Sequence, residues 1–118
     1  MTEVTLSCGR NGAVKTCEAN GHACSSRKGS DVVCAAVSAI LKTAMLVLSH
    51  TENVAFDADV SARGKLAFRA DMQENLGGPD KIEAESRLRC VADFIRSGVS
   101  SVSDEYPGYV LLRENTIG

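Results

Sequence analysis

His22 and Cys34 stand twelve positions apart, within Gly21-His22-Ala23 and Asp31-Val32-Val33-Cys34-Ala35-Ala36-Val37-Ser38. The cysteine falls where an apolar helical pattern begins. A thiol at a helix start feels the positive end of the macrodipole, which favours thiolate, and an imidazole beside it can serve as the base that removes its proton. Between them, Cys24-Ser25-Ser26-Arg27-Lys28-Gly29-Ser30 reads as a loop able to fold His22 back against the sulfur. The chemistry this suggests is that of a cysteine–histidine nucleophile with a loop over it.

Neighbouring residues have competing roles. Ser30 or Asp31 can cap the helix, because a short side-chain oxygen accepts from first-turn amides; Asp31 could instead orient His22 as a third member of the site. Ser38, one turn after Cys34, can hydrogen-bond near the thiolate or back to the carbonyl of Cys34. His50 is expected to cap the far end of the helix, where a cation suits the last carbonyls. Cys17, His22, Cys24 and Cys34 are zinc-ligand types, but they lack paired Cys-x-x-Cys knuckles, so no metal or other cofactor is expected. Cys24 and Cys34 could also form a redox pair, the loop thiol resolving an oxidised Cys34.

Hydrophobic alternation and turn residues give the elements that must hold this pair. Residues 2–8 alternate, with Val4, Leu6 and Cys8 on one face, and Asn11-Gly12 favours a tight hairpin into residues 13–19. Val33, Val37, Ile40, Leu41, Ala44 and Leu48 recur at helical spacing, while Val32, Ala35 and Ala36 fill more of the circumference, so this helix is expected to be mostly enclosed. Residues 53–60 alternate again, and Ser61-Ala62-Arg63-Gly64 turns the chain into a strand over residues 65–72. Gly77-Gly78-Pro79 opens a second helix, since proline loses nothing in a first turn. Its stripe comprises Ile82, Leu88, Val91, Ala92, Ile95, Val99 and Val102, with Gly98 a weak point or early stop, and it ends before Tyr106-Pro107-Gly108. A short strand over residues 109–113 follows. The order β-β-α-β-β-α-β predicts a two-layer α+β domain, a mainly antiparallel sheet with both helices packed on it.

Composition agrees with one domain over residues 1–118, at 44% hydrophobic and 24% charged residues. The formal charge of −2 provides no basic footprint, so no direct nucleic-acid binding is expected. The apolar run from Val32 to Leu48 is broken by Ser38, Lys42 and Thr43 and reads as a core helix, with no membrane association. Residues 1–5 lack the basic and apolar regions of a secretory signal, which predicts a cytoplasmic location. Five cysteines in that setting are expected to be mostly free thiols, with Cys8, Cys17 and Cys90 as small core residues.

The Gly21-His22-Ala23 motif, followed after a glycine-containing loop by Asp31 to Ser38, resembles the ribosomal-processing cysteine protease family Prp, and the likeness extends over nearly the whole chain. The resemblance implies removal of a short N-terminal extension from a large-subunit ribosomal protein, number twenty-seven, in support of ribosome assembly. It implies that His22 and Cys34 are catalytic, that Asp31 and Ser38 support them, that the bond cleaved follows an aromatic residue, and that the protein is a homodimer. Cys24 departs from the family pattern. The loop from Cys24 to Ser30, with Gly29 as a hinge, is then expected to close over bound peptide. Two other readings predict different behaviour: a ribosome-associated binding module, in which Cys34 is merely a packing residue, and a thiol redox sensor using Cys24 and Cys34.

Overall fold

A computed structural model describes residues 1–21, 30–60 and 64–118, the side chains of Ser30 and Asp31 aside. The elements run β1 (Thr2–Gly9), β2 (Val14–Asn20), α1 (Ser30–Ser49), β3 (Val54–Asp59), β4 (Lys65–Met72), α2 (Gly78–Glu105) and β5 (Val110–Ile117). Their order and the α+β class are those expected from the sequence. The five strands form one sheet in the order β3-β4-β2-β1-β5.

The β1–β2, β2–β4 and β3–β4 pairings are antiparallel. The β1–β5 pairing is parallel, from Thr2 opposite Val110 to Gly9 opposite Ile117, so the sheet is mixed. This ladder carries β5 beyond the expected residue 113. Arg113, Glu114, Asn115 and Thr116 have little strand patterning of their own, but β1 supplies backbone partners along its whole length.

In the first hairpin, Gly12 takes φ +84°, Asn11 accepts from the Ala13 amide at 3.0 Å, and a register shift between Ser7 and Cys8 absorbs the odd residue. The core lies between one face of the sheet and both helices. Val4, Leu6, Val14, Cys17 and Phe68 meet Val33, Val37, Leu41 and Leu48 of α1 and Leu88, Ile95 and Val99 of α2. Each fully buried aliphatic side chain of this kind stabilises by about 1.5–3 kcal/mol.

Several expectations change. The stretch Val32–Ser49 is long and apolar enough to cross a membrane by length and composition, but α1 packs against α2 and the sheet. It is not mostly enclosed: Val32, Leu46 and Val47 are 52%, 62% and 48% exposed, because a two-layer fold covers only one side of a helix. Gly98 does not stop α2. A Cβ there would lie 3.1 Å from Ile40, so the glycine permits the two helices to approach. Ile82 is exposed rather than in the stripe, and Cys90 is exposed rather than a core residue. The end of α1 is closed by hydroxyls in place of His50: Ser49 donates to the Leu46 carbonyl at 2.7 Å and Thr51 to that of Val47 at 2.6 Å.

Candidate active site

The start of β1, the end of β2, the end of β3 and the start of β4 lie at one edge of the sheet, as the register pairs Glu3 with Asn20, Asn20 with Lys65 and Asp59 with Ala67. The first half of α1 passes over this edge. Between them opens a cleft of about 390 Å³, bounded by Thr2 and Gly21 from the sheet, Val60, Gly64, Lys65 and Leu66 from the second hairpin, and Cys34, Val37, Ser38 and Lys42 from the helix.

Cys34 is the fifth residue of α1, just past the first turn, and its half-buried side chain opens into this cleft. The helix start, with its amides unpartnered within the helix, therefore lies next to the sulfur. Sγ is 3.5 Å from the Thr2 hydroxyl. Ser38 and Lys42 follow at four-residue steps along the same wall. The bond from a mid-helix hydroxyl to the carbonyl one turn back is formed in α1 by Thr43 to Ala39, at 2.7 Å. The cleft is apolar at Val37, Val60 and Leu66 and basic at Lys42 and Lys65. Lys65 pairs with Glu18 at 3.2 Å, and hydrogen bonds from Asn20 and Lys65 hold the Glu18 carboxyl below its usual range.

His22 is the residue after Gly21, which lines the cleft; His22 itself lies outside the described residues, as do Cys24 to Gly29. The readings that assign a base, a closing loop or a Cys24–Cys34 redox pair fall there. Asp31 is in the first turn of α1, and both its cap and its His22-orienting roles concern a side chain that is not described. The zinc set is not gathered in the cleft, because Cys17 is buried in the core at 1% exposure.

Sequence reasoning passed over Thr2. The alternation of β1 puts residue 2 on the same face as Val4 and Leu6, and a hydroxyl at the end of an apolar stripe was the available clue. It is buried, its backbone N–H donates to the Tyr109 carbonyl at 3.0 Å, and its side chain touches the one cysteine that faces the cleft among the described residues.

Comparisons with known proteins agree with this arrangement. No curated protein matches the chain. Among solved structures, the ribosomal processing protease Prp from S. aureus in complex with a substrate peptide has a TM-score of 0.74 at 19% identity, covering 98% of this chain and 100% of that one. SMU.848 from Streptococcus mutans has a TM-score of 0.71 at 21% identity, covering 99% and 96%. At such identities these likenesses show a shared fold. The family model described as Cysteine protease Prp matches residues 1–111, nearly the whole chain, so the protein with this helix-borne thiol belongs to that family and is a cysteine protease.

Proposed function

We propose that this chain is a processing endopeptidase that removes the N-terminal extension of large-subunit ribosomal protein number twenty-seven, with Cys34 as nucleophile and His22 as general base and acid. The observation that carries this reading is the position of Cys34: a half-buried thiol at a helix start, opening into a cleft of about 390 Å³, in a chain of a cysteine protease family. The S. aureus relative, a ribosomal processing protease, takes a substrate peptide on the same fold, which supports the substrate class.

In the mechanism, His22 takes the Sγ proton of Cys34 and the thiolate attacks the scissile carbonyl. The C–N bond then breaks as His22 returns that proton to the departing amine, and water hydrolyses the thioester. Amides at the start of α1 are the candidates to hold the oxyanion, since the first-turn N–H groups have no partner within the helix and lie within a turn of Cys34. Val37, Val60 and Leu66 suit an apolar or aromatic substrate side chain next to the cut bond. Asp31 and Ser38 are supporting residues on the same helix. The protein acts in the cytoplasm as a homodimer, and the uncovered apolar residues Val32, Leu46 and Val47 of α1 supply surface for a second copy.

The test is incubation of the extended ribosomal protein from the same organism with wild type and with Cys34→Ala, followed by mass spectrometry. A single cut near the substrate's N-terminus by wild type alone is the expected result. No cut by folded wild type would overturn the assignment of this ribosomal substrate.

A further inference from the structure

Thr2 is the one hydroxyl in contact with the Cys34 sulfur among the described residues, at 3.5 Å. Its position is fixed from three sides. The backbone N–H is held by the Tyr109 carbonyl at 3.0 Å, and residue 2 begins both the β1–β5 ladder and the buried face of β1. Gly21 lies against the same side chain, where an added Cβ would come within 2.9 Å of Thr2 Oγ1 and 3.4 Å of its Cβ and Cγ2. A hydroxyl with a glycine and a thiol both close to it, in a residue only 7% exposed, has few other groups to serve.

From this geometry we propose that Thr2 is a positioning residue for the nucleophile, donating its hydroxyl hydrogen to Cys34 Sγ once the thiol proton has left. This rests on the reading of Cys34 as the nucleophile. In the thiol state either atom can donate. A thiolate has no hydrogen, so only the hydroxyl can then donate, and the Thr2 proton stays on Oγ1 throughout. When sulfur forms its bond to the substrate carbon, the negative charge leaves it and the hydrogen bond weakens.

Such a bond has two opposing consequences. It favours the anion, so more thiolate forms at a given pH. It also makes each thiolate less nucleophilic, because reactivity falls with thiol pKa. Removing the hydroxyl therefore acts in opposite directions on the two arms of a pH–rate profile. For a rise of about one pH unit in the midpoint, alkylation becomes about threefold slower on the acid arm and about threefold faster on the alkaline plateau, given the partial dependence of nucleophilicity on pKa.

The experiment is alkylation of the full chain by iodoacetamide across the pH range, with the Cys34 peptide resolved by mass spectrometry. Thr2→Val, nearly isosteric, and Thr2→Ala are both expected to give a profile that crosses the wild-type curve, and Thr2→Ser to restore it. Either of the first two suffices should the other fail to fold. Superimposed profiles, a change of one sign on both arms, or a crossing retained in Thr2→Ser would overturn the inference. Cleavage of the extended ribosomal protein is measured alongside. A crossing with no cleavage by the wild type refutes the proposed substrate alone, whereas cleavage without a crossing refutes the role of Thr2 alone.

Discussion

Cys17 and Cys34 occupy similar places in the hydrophobic pattern and opposite places in the chemistry of the molecule. Cys17 lies in the middle of β2, facing both helices at 1% exposure, and burial pushes its thiol up from 9.0 to about 12. Cys34 lies at the sheet edge, half-buried, with a hydroxyl on one side and an open cleft on the other. Desolvation is the main cause that keeps the first inert, with Cys8 and the Glu18 carboxylate adding to it and a backbone hydrogen bond at Glu18 opposing it. On the proposed assignment, what distinguishes the nucleophile from a packing residue is one end of the sheet against its middle.

The comparison breaks most sharply on cleavage. Cys34→Ala is expected to abolish processing of the extended ribosomal protein in a single-turnover assay, whereas Cys17→Ala keeps the rate within about threefold and costs stability instead, on the order of 1–2 kcal/mol for a small buried truncation. Reagent labelling comes next. At neutral pH Cys34 is expected to react first, before exposed Cys90, and Cys17 last, by roughly thirty- to sixtyfold against an ordinary thiol from its displaced titration, once the greater nucleophilicity of a high-pKa thiolate is allowed for. Faster labelling of any other cysteine, read by peptide mass spectrometry, removes Cys34 from its place.

Alkaline unfolding sharpens the same contrast. The folded state holds the Cys17 proton more tightly than the unfolded chain does, so that stability is fully present below pH 9 and is lost as pH rises from about 9 toward about 12. The loss approaches 4 kcal/mol, at about 1.4 kcal/mol per unit. Denaturant titrations at several pH values should show this slope in wild type and a shallower one in Cys17→Ala, where only the raised Cys8 thiol remains. A smaller effect is expected from Gly98→Ala, which pushes a methyl against Ile40 3.1 Å away and should cost about 1–3 kcal/mol by overpacking. The smallest concerns Cys8, whose thiol is raised by burial and drawn partly back by Arg96. Arg96→Met removes that cation and slows Cys8 alkylation further, a change visible only once Cys34 and Cys90 are blocked.

Much of this was legible from residue order. Turn dipeptides and alternation located both hairpins, and the helical spacing of Val33, Val37 and Leu41 placed Cys34 near a helix start. The parallel pairing of β5 was not legible, because Arg113, Glu114 and Asn115 join the sheet through backbone groups that any sequence carries. Nor was the role of Gly98, which depends on Ile40 in a different helix. The exposed side of α1 was missed for a related reason: Val32, Leu46 and Val47 look like core residues to a periodicity argument that cannot count the layers above them. Thr2 belongs to the site through a neighbour 32 residues away, a separation that no local pattern reports.

The parallel ladder between β1 and β5 also sets an order of events in time. Thr2, near one end of the chain, is held by Tyr109 and Val110 near the other. Both hairpins and α1 form from contacts close in sequence, whereas this ladder closes a loop of more than a hundred residues and is intrinsically slow. During synthesis the helix bearing Cys34 and the first hairpin can exist well before residue 110 leaves the ribosome, but the bond from the Thr2 amide to the Tyr109 carbonyl cannot. The backbone of Thr2 beside the Cys34 sulfur is thus anchored only after residue 110 has joined the sheet.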